Sequence, residues 1–194
     1  DQVWIAGLDG RSSATPLLDV ASQNNSFESL SLGVSYKYTF WDMFYGFIPG
    51  SIGETSTLAV LIGASFLIIT RIASIRIILS VFFGMIATSF LLNFLGHAIE
   101  SQNAMLFVAP QYHFVMGSFA FGTIFMATEP VTAAHTDRGK IYYGILIGVL
   151  CILIRCINPA YPEGMMLAIL FANGFAPLFD YFALQKHIKD RKNG

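Results

Sequence analysis

Asp180 is the residue whose position most directly predicts chemistry. It closes the stretch 158–180, most of which is a long apolar run. At about 1.5 Å of rise per residue, Asp180 falls roughly one helical turn inside the apolar limit. An ionisable group at membrane depth is costly and usually serves ions, protons or a cofactor, so a functional role is favoured. The structural alternative is a snorkelling acid or a partner for Lys186, but Asp reaches an interface less easily than Lys or Arg.

Glu129 is a second acid at the end of an apolar run. Pro130 is expected to break the helix there, which frees backbone carbonyl groups near the carboxylate. Carboxylate and carbonyl oxygens together suit a hard cation. A solvated acid at a loop end explains the same pattern equally well, because charges commonly line membrane interfaces. The local sequence leaves both interpretations open.

Thr15 offers a hydroxyl group next to the small residues Ser12, Ser13 and Ala14, and it precedes Pro16. A proline pushes the preceding residue towards an extended conformation, in which a modifying enzyme can reach the hydroxyl. The same residues also form a helix start, with Thr15 as N-cap and Pro16 at the first helical position. Caps are common and modified threonines are rare, so the local sequence by itself favours the cap.

Histidine and cysteine residues form no metal-site pattern in this sequence. The histidines occur singly, without H-x-x-x-H or H-E-x-x-H spacing. Cys151 and Cys156 lie in one apolar run, which indicates buried thiols and neither a disulfide framework nor a zinc site. No G-x-G-x-x-G or Walker loop is present, so a soluble nucleotide site is not encoded.

The composition is that of a polytopic membrane protein. Hydrophobic residues make up 55% of the chain and charged residues 12%, and the mean hydropathy is +0.61. The net charge of -1 and the lack of a long basic run exclude nucleic acid as a partner. The chain begins at Asp1 without Met or a signal-peptide pattern, so we interpret it as a piece of a longer protein.

Five apolar stretches predict five transmembrane helices in an all-α fold. A bilayer-spanning helix needs about 20 mostly apolar residues, with roughly 17 to 25 tolerated. Arg155, inside the fourth stretch, is expected to be an interfacial anchor or the partner of a buried acid. Ser51 and Glu54 have capping-box spacing, so a helix should start there. The stretches cover residues 55–70, 77–96, 104–128, 141–157 and 164–184.

Charge and composition divide the chain into four regions. They are a polar arm, an interfacial or re-entrant segment, the five-helix transmembrane part and a basic tail, over residues 1–39, 40–54, 55–185 and 186–194. Lys and Arg collect in cytoplasmic loops. Here they lie between spans one and two, between spans three and four, and after span five. The tail is therefore predicted to be cytoplasmic and the polar arm extracytoplasmic.

Four segments together resemble one membrane-protein family. They are residues 12–17, 48–58, 119–131 and 158–180, of which the last is the most specific. The chain resembles the C-terminal half of the B-type membrane subunit of the sodium-translocating NADH:quinone oxidoreductases. The resemblance implies ten transmembrane helices in two related halves, with a fold similar to urea transporters. The D-type membrane subunit of Rnf complexes is a close relative, but residues 53–57 and 175–180 favour the quinone-reducing family.

The resemblance implies a set of cofactors. In the family, FMN is joined through its phosphate to the threonine of a short motif, which corresponds here to Ser12, Ser13, Ala14 and Thr15. The resemblance therefore favours Thr15 as a modified residue over Thr15 as a helix N-cap. Ser13 stands where the family often has glycine or another residue. Riboflavin among the helices and a ubiquinone site towards the cytoplasm are also implied.

The resemblance implies a function in the bacterial inner membrane, in which electrons pass from FMN through riboflavin to ubiquinone and drive sodium export. Asp180 matches an acid of the family that affects sodium uptake, and Glu129 stands where many relatives have Asp. The expected partners are membrane lipid, the other subunits of the six-subunit complex and a flavin transferase. That transferase acts outside the cytoplasm, which agrees with the predicted side of residues 1–39.

Three other functions are weighed against this one. An Rnf-type electron-transport subunit would share the covalent flavin. A passive small-solute channel or transporter would need no flavin, so flavin fluorescence on the denatured chain separates it from a redox subunit. A purely structural scaffold is disfavoured because it would have little use for Glu129 and Asp180.

Overall fold

The computed structural model describes residues 16–17, 31–32, 36–37, 39–48, 50–51, 53–101, 103–158 and 161–192. The regular structure of these residues is helical, as predicted, apart from one pair of two-residue β-strands. Strand β1 (Ser31–Leu32) pairs antiparallel with strand β2 (Tyr36–Lys37). Most of the predicted polar arm lies outside the described ranges. Leu17, one of its described residues, is fully buried in the core.

The predicted interfacial segment begins with the short helix α1 (Phe40–Tyr45). Thr39 and Asp42 form a capping box, in which the Thr39 amide donates to the Asp42 carboxylate at 2.9 Å. The helix ends at Gly46, whose φ of +97° lies in the left-handed region that favours glycine. Trp41 is exposed, in keeping with an aromatic residue at a membrane interface.

Helix α2 (Thr57–Ile69) begins later than the capping-box pattern predicted. Glu54 does accept a hydrogen bond from the Ser51 amide at 3.3 Å, but a turn follows. Ser56 caps the helix instead and accepts from the Ala59 amide at 3.3 Å. The predicted start at Ser51 is therefore wrong. With 13 residues, α2 is shorter than the about 20 needed to cross a bilayer.

The third predicted span, residues 104–128, is not one continuous helix. After α3 (Ile75–Ala98), the chain forms a 3-10 helix (Ala104–Phe107), α4 (Pro110–Val115), α5 (Phe119–Phe121) and a π-helix (Gly122–Met126). Gly117, with a φ of +65°, turns the chain between α4 and α5. The helical stretch ends before Pro130, as the proline predicts. Single π-helical turns are rare and occur often at functional sites.

Helices α6 (Asp137–Ile157) and α7 (Met165–Lys192) complete the described fold. Together with α3 they are the three described helices that are long and apolar enough to cross a membrane. The all-helical polytopic membrane class is thereby confirmed. The count of five spans stays a prediction, because α2 is short and the third stretch is interrupted.

Helix α6 packs against both α3 and α7 and forms the centre of the core. The backbones of α3 and α6 meet closely: a Cβ atom on Gly84 would lie 2.6 Å from the Ile145 carbonyl oxygen, and one on Gly148 would lie 2.6 Å from the Met85 amide nitrogen. Small residues permit such contacts between membrane helices. The opposite face of α3 exposes large apolar side chains suited to lipid, namely Leu79, Phe83, Phe90 and Phe94.

Candidate functional site

Asp180 binds the loop that precedes α6. Its Oδ2 accepts a hydrogen bond from the His135 amide at 2.8 Å, and its Oδ1 accepts from the Thr136 amide at 2.9 Å and the Thr136 hydroxyl at 2.6 Å. That hydroxyl in turn accepts from the Gly139 amide at 3.1 Å and so caps α6. Asp180 therefore joins α7 to the start of α6, and both of its oxygens are hydrogen-bonded.

Glu129 closes a turn at the beginning of the same loop. Its Oε1 accepts from the Val131 amide at 3.0 Å, and its Oε2 accepts from the Thr132 amide at 2.9 Å and the Thr132 hydroxyl at 2.7 Å. These hydrogen bonds, above all the one from the Thr132 hydroxyl, lower the pKa of the Glu129 carboxyl. The group is therefore ionised at neutral pH.

Glu129 lies in the loop between the π-helix and α6, and Asp180 of α7 binds the same loop. Both acids therefore lie at one end of the bundle, called here the Asp180 end. Each acid binds a different part of the loop, and the six hydrogen bonds given above do not join the two carboxylates. Over the described ranges, His, Cys, Asp and Glu do not form a group of three or more that could hold a metal ion. A cation at this end would need carbonyl or hydroxyl oxygens as further ligands.

A buried polar pair joins α6 to α7. The Tyr143 hydroxyl donates to Oδ1 of Asn173 at 2.6 Å, and Tyr143 is fully buried. Asn173 is visible in the sequence as a polar residue within an apolar run, but no spacing rule identifies Tyr143 as its partner.

Two buried side-chain atoms of the interrupted third span have no hydrogen-bond partner within the described residues. They are Nδ1 of His113 and Oγ1 of Thr123, and Thr123 belongs to the π-helix. An unpaired buried polar group costs about 1 to 3 kcal/mol. These atoms therefore keep hydrogen-bonding capacity that the described residues do not use. The sequence marked His113 only as an isolated histidine and did not single out Thr123.

Arg155, near the other end of α6, is fully buried. Its Nη1 donates to the His113 carbonyl at 2.9 Å, and its Nη2 donates to the Met116 carbonyl at 3.1 Å. Its Nε donates to the Glu163 carbonyl at 3.2 Å. The predicted interfacial anchor is wrong, because carbonyl groups where the third span is interrupted replace the water that a snorkelling arginine would seek.

Glu163 lies beside Arg155 and is half-buried, so a buried acid as the partner of Arg155 stays a prediction. Oε2 of Glu163 accepts from the Ser118 amide at 3.0 Å and the Ser118 hydroxyl at 3.2 Å. A Cβ atom on Gly117 would lie 2.5 Å from this Oε2 and 3.1 Å from Nη2 of Arg155. The carboxylate and the guanidinium therefore flank the same glycine.

Glu54 brings a second carboxylate to this region, where it accepts hydrogen bonds from Ser51 and interacts with Glu163. Burial raises the pKa of the Glu54 carboxyl, and the Glu163 carboxylate adds to the rise, against hydrogen bonds from Ser51 that lower it. Glu54 therefore loses its proton at a higher pH than an ordinary glutamate. Glu54, Ser118, Arg155 and Glu163 are called here the Arg155 cluster.

The Arg155 cluster and the Asp180 end lie at opposite ends of α6. The stretch of α6 from Asp137 to Arg155 is about 27 Å long at about 1.5 Å per residue. Leu17 lies at the Arg155 end, since its Cδ2 would be 3.1 Å from a Cβ atom on Gly117. The predicted attachment motif, Ser12, Ser13, Ala14 and Thr15, lies outside the described residues.

Comparison with known proteins identifies relatives along nearly the whole chain. The model of the NQR2, RnfD, RnfE family matches residues 1–189. Proteins named as the B-type subunit of Na(+)-translocating NADH-quinone reductase are 54% identical in Chromohalobacter salexigens over 98% of this chain, 55% in Yersinia pestis over 99%, and 54% in Neisseria meningitidis serogroup B over 99%. The chain spans 44%, 45% and 46% of these relatives, respectively, so it matches less than half of their length.

Proposed function

Because the chain belongs to the NQR2, RnfD, RnfE family, we propose that it is part of the B-type membrane subunit of a sodium-translocating NADH–quinone reductase. The observation that carries the proposal is the match to proteins of that name along nearly the whole chain. The three long apolar helices support the membrane location. In this function the chain carries electron transfer to quinone, coupled to sodium export.

Thr15 is the proposed attachment residue for FMN, and Ser12, Ser13 and Ala14 are the motif that the flavin transferase recognises. The burial of Leu17, shortly after Thr15, supports this assignment, because an attached electron carrier needs a fixed position. FMN supplies the electron chemistry and passes electrons through riboflavin to ubiquinone. The sites of riboflavin and ubiquinone are proposed from the family resemblance alone.

Asp180 and Glu129 are the proposed residues of sodium uptake. Each accepts three hydrogen bonds, whereas a carboxylate has about four acceptor sites. Each therefore keeps room for a hard cation such as sodium. A cation that displaced the Thr136 hydroxyl from Asp180 would also disturb the cap of α6, so ion binding at Asp180 would be coupled to the loop.

The proposed orientation in the bacterial inner membrane puts the tail, residues 186–194, in the cytoplasm and residues 1–39 outside. The positions of Leu17 and Asp180 at opposite ends of α6 support it. The proposed partners are the other subunits of the complex, the flavin transferase and membrane lipid. The exposed apolar face of α3 suits lipid.

The proposal is tested by Thr15→Ala in the full-length protein. The variant should lose its covalent flavin and still insert into the membrane, because the hydroxyl is the attachment atom. The measurements are flavin fluorescence of the denatured chain in a gel and the mass of the peptide containing residue 15. Thr15→Ser, which keeps a hydroxyl, is the matched control. Flavin that persists on the Thr15→Ala chain would refute the assignment and leave Ser12 or Ser13 as the attachment residue.

An Rnf-type electron-transport subunit is the second candidate, because the matching family also includes RnfD and RnfE. Such a subunit would share the covalent flavin, so the Thr15 experiment does not separate the two. Identification of the subunits that purify with the chain does. An Rnf set of partners would replace the quinone-reductase assignment.

A further inference from the structure

We propose that Gly117 and the Arg155 cluster form a seat for Leu17, and that this seat positions the flavin-bearing segment. The positioning role rests on the proposed function, because it needs a flavin on Thr15. The seat itself is built from described residues. The side chains of Leu17, Arg155 and Glu163 all border the space beside Gly117.

The space at Gly117 is shared by three groups that a larger residue would disturb. A Cβ atom there would lie 3.1 Å from Cδ2 of Leu17, 3.1 Å from Nη2 of Arg155 and 2.5 Å from Oε2 of Glu163. These distances are shorter than ordinary van der Waals contact. The φ of +65° at Gly117 adds a conformation that other residues rarely adopt. Position 117 therefore requires glycine for both space and backbone shape.

Hydrogen bonds make the walls of the seat rigid. Arg155 is held by the His113 carbonyl in α4 and by the Met116 carbonyl on the turn that contains Gly117. Glu163 is held from the same turn by the amide and hydroxyl of Ser118. Neither wall can move away from an enlarged residue 117 without losing charge-assisted hydrogen bonds. Leu17, which is an apolar side chain held by packing, is the group expected to leave.

The consequence for function lies in the short distance along the chain from Leu17 to Thr15. Two residues span at most about 7 Å of extended chain. A group attached to Thr15 is therefore tethered to the Arg155 end of the bundle as long as Leu17 stays seated. Gly117 acts on the flavin through Leu17 and is a positioning residue.

The test compares Gly117→Ala with Gly174→Ala in the intact complex. Gly174 is the matched control, because a Cβ atom there meets nothing within 4 Å. Hydrogen–deuterium exchange of the peptide containing Leu17 should rise by about tenfold in Gly117→Ala, because segments that lose buried contacts open more often. It should stay at the parent rate in Gly174→Ala. An unchanged rate in Gly117→Ala overturns the seat.

Leu17→Ala tests the seat by removing the side chain that occupies it. This variant decides whether the seat exists if Gly117→Ala does not assemble. It should accelerate exchange in the peptide that covers residues 116–119 and leave α6 and α7 unchanged. Unchanged exchange over residues 116–119 would overturn the seat. Neither exchange measurement depends on the flavin.

The positioning role is read from the flavin itself. Where the mass of the Thr15 peptide shows attached FMN, Gly117→Ala should keep the flavin and lower its fluorescence anisotropy, whereas Gly174→Ala should not. Attached flavin with parent anisotropy, beside accelerated exchange, would overturn the positioning role and leave the seat. A parent protein without flavin on Thr15 refutes the proposed attachment, and the exchange data still decide the seat.

Discussion

Asp180→Asn tests whether this carboxylate holds the loop before α6. The carboxylate accepts from the His135 amide, the Thr136 amide and the Thr136 hydroxyl. Asparagine replaces one oxygen by an amino group, so at least one loop amide would face a donor and lose its bond. A hydrogen bond to a charged group contributes about 1.5 to 3 kcal/mol. Loop opening should therefore become about tenfold to a hundredfold more frequent, near the lower limit because water partly screens the group.

The assay is hydrogen–deuterium exchange of the peptide that covers residues 133–138 in the purified complex. Asp137→Asn is the matched control, because the Asp137–Arg76 ion pair is exposed on both sides, at 67% and 56%, and exposed pairs contribute little. Exchange should accelerate clearly more in Asp180→Asn than in the control. Equal exchange in Asp180→Asn and the parent would refute the structural reasoning.

The same variant separates the structural role of Asp180 from its proposed role in sodium uptake. If Asp180 also binds the incoming ion, Asp180→Asn should raise the sodium concentration for half-maximal quinone reduction by about tenfold to a hundredfold and keep the flavin. Glu129→Gln should act in the same direction but more weakly, because the Glu129 carboxylate is better hydrated and screened. Sodium titrations that overlay the parent, beside accelerated loop exchange, would make Asp180 a structural acid.

Two further predictions concern orientation and pH. Cysteines placed at Asn25 and Asn103 should react with an impermeant thiol reagent outside intact cells, and one at Asn193 should not; labelling at Asn193 but not at Asn25 would invert the orientation. Glu54→Gln should raise the thermal stability of the complex at neutral pH and change it little in acid. The pKa of Glu54 in the folded protein lies above its ordinary value of 4.5, so its contribution to stability is present below that value and is lost as the pH rises through the raised pKa. A loss of stability that is equal at both pH values would contradict this.

Hydropathy was sufficient to predict the membrane class and the positions of the long helices. α3, α6 and α7 overlap the second, fourth and fifth predicted stretches. Hydropathy was not sufficient for the third stretch, because apolar composition does not show whether the backbone forms one continuous α-helix. Pro110 and Gly117 lie inside that stretch as sequence signals. The π-helix, however, contacts α2, α3 and α7, and the sequence does not show these contacts.

The acids show the same division. Asp180 and Glu129 were candidates because each lies at or near the end of an apolar run. The sequence also predicted the break at Pro130. The partners of Asp180 could not be predicted, because His135 and Thr136 are 45 and 44 residues away along the chain. Such contacts depend on how α6 and α7 pack together.

The sequence by itself determined that the chain is a membrane protein, which family it resembles and that Thr15 is the candidate attachment residue. Only the tertiary structure decided which groups bind the Arg155 guanidinium. An arginine in an apolar run is interpreted as an anchor that reaches for water, because the run does not show any other hydrogen-bond acceptor. The fold brings the His113 and Met116 carbonyls and Glu163 to it, since the interruption of a distant helix leaves those carbonyls without helical partners.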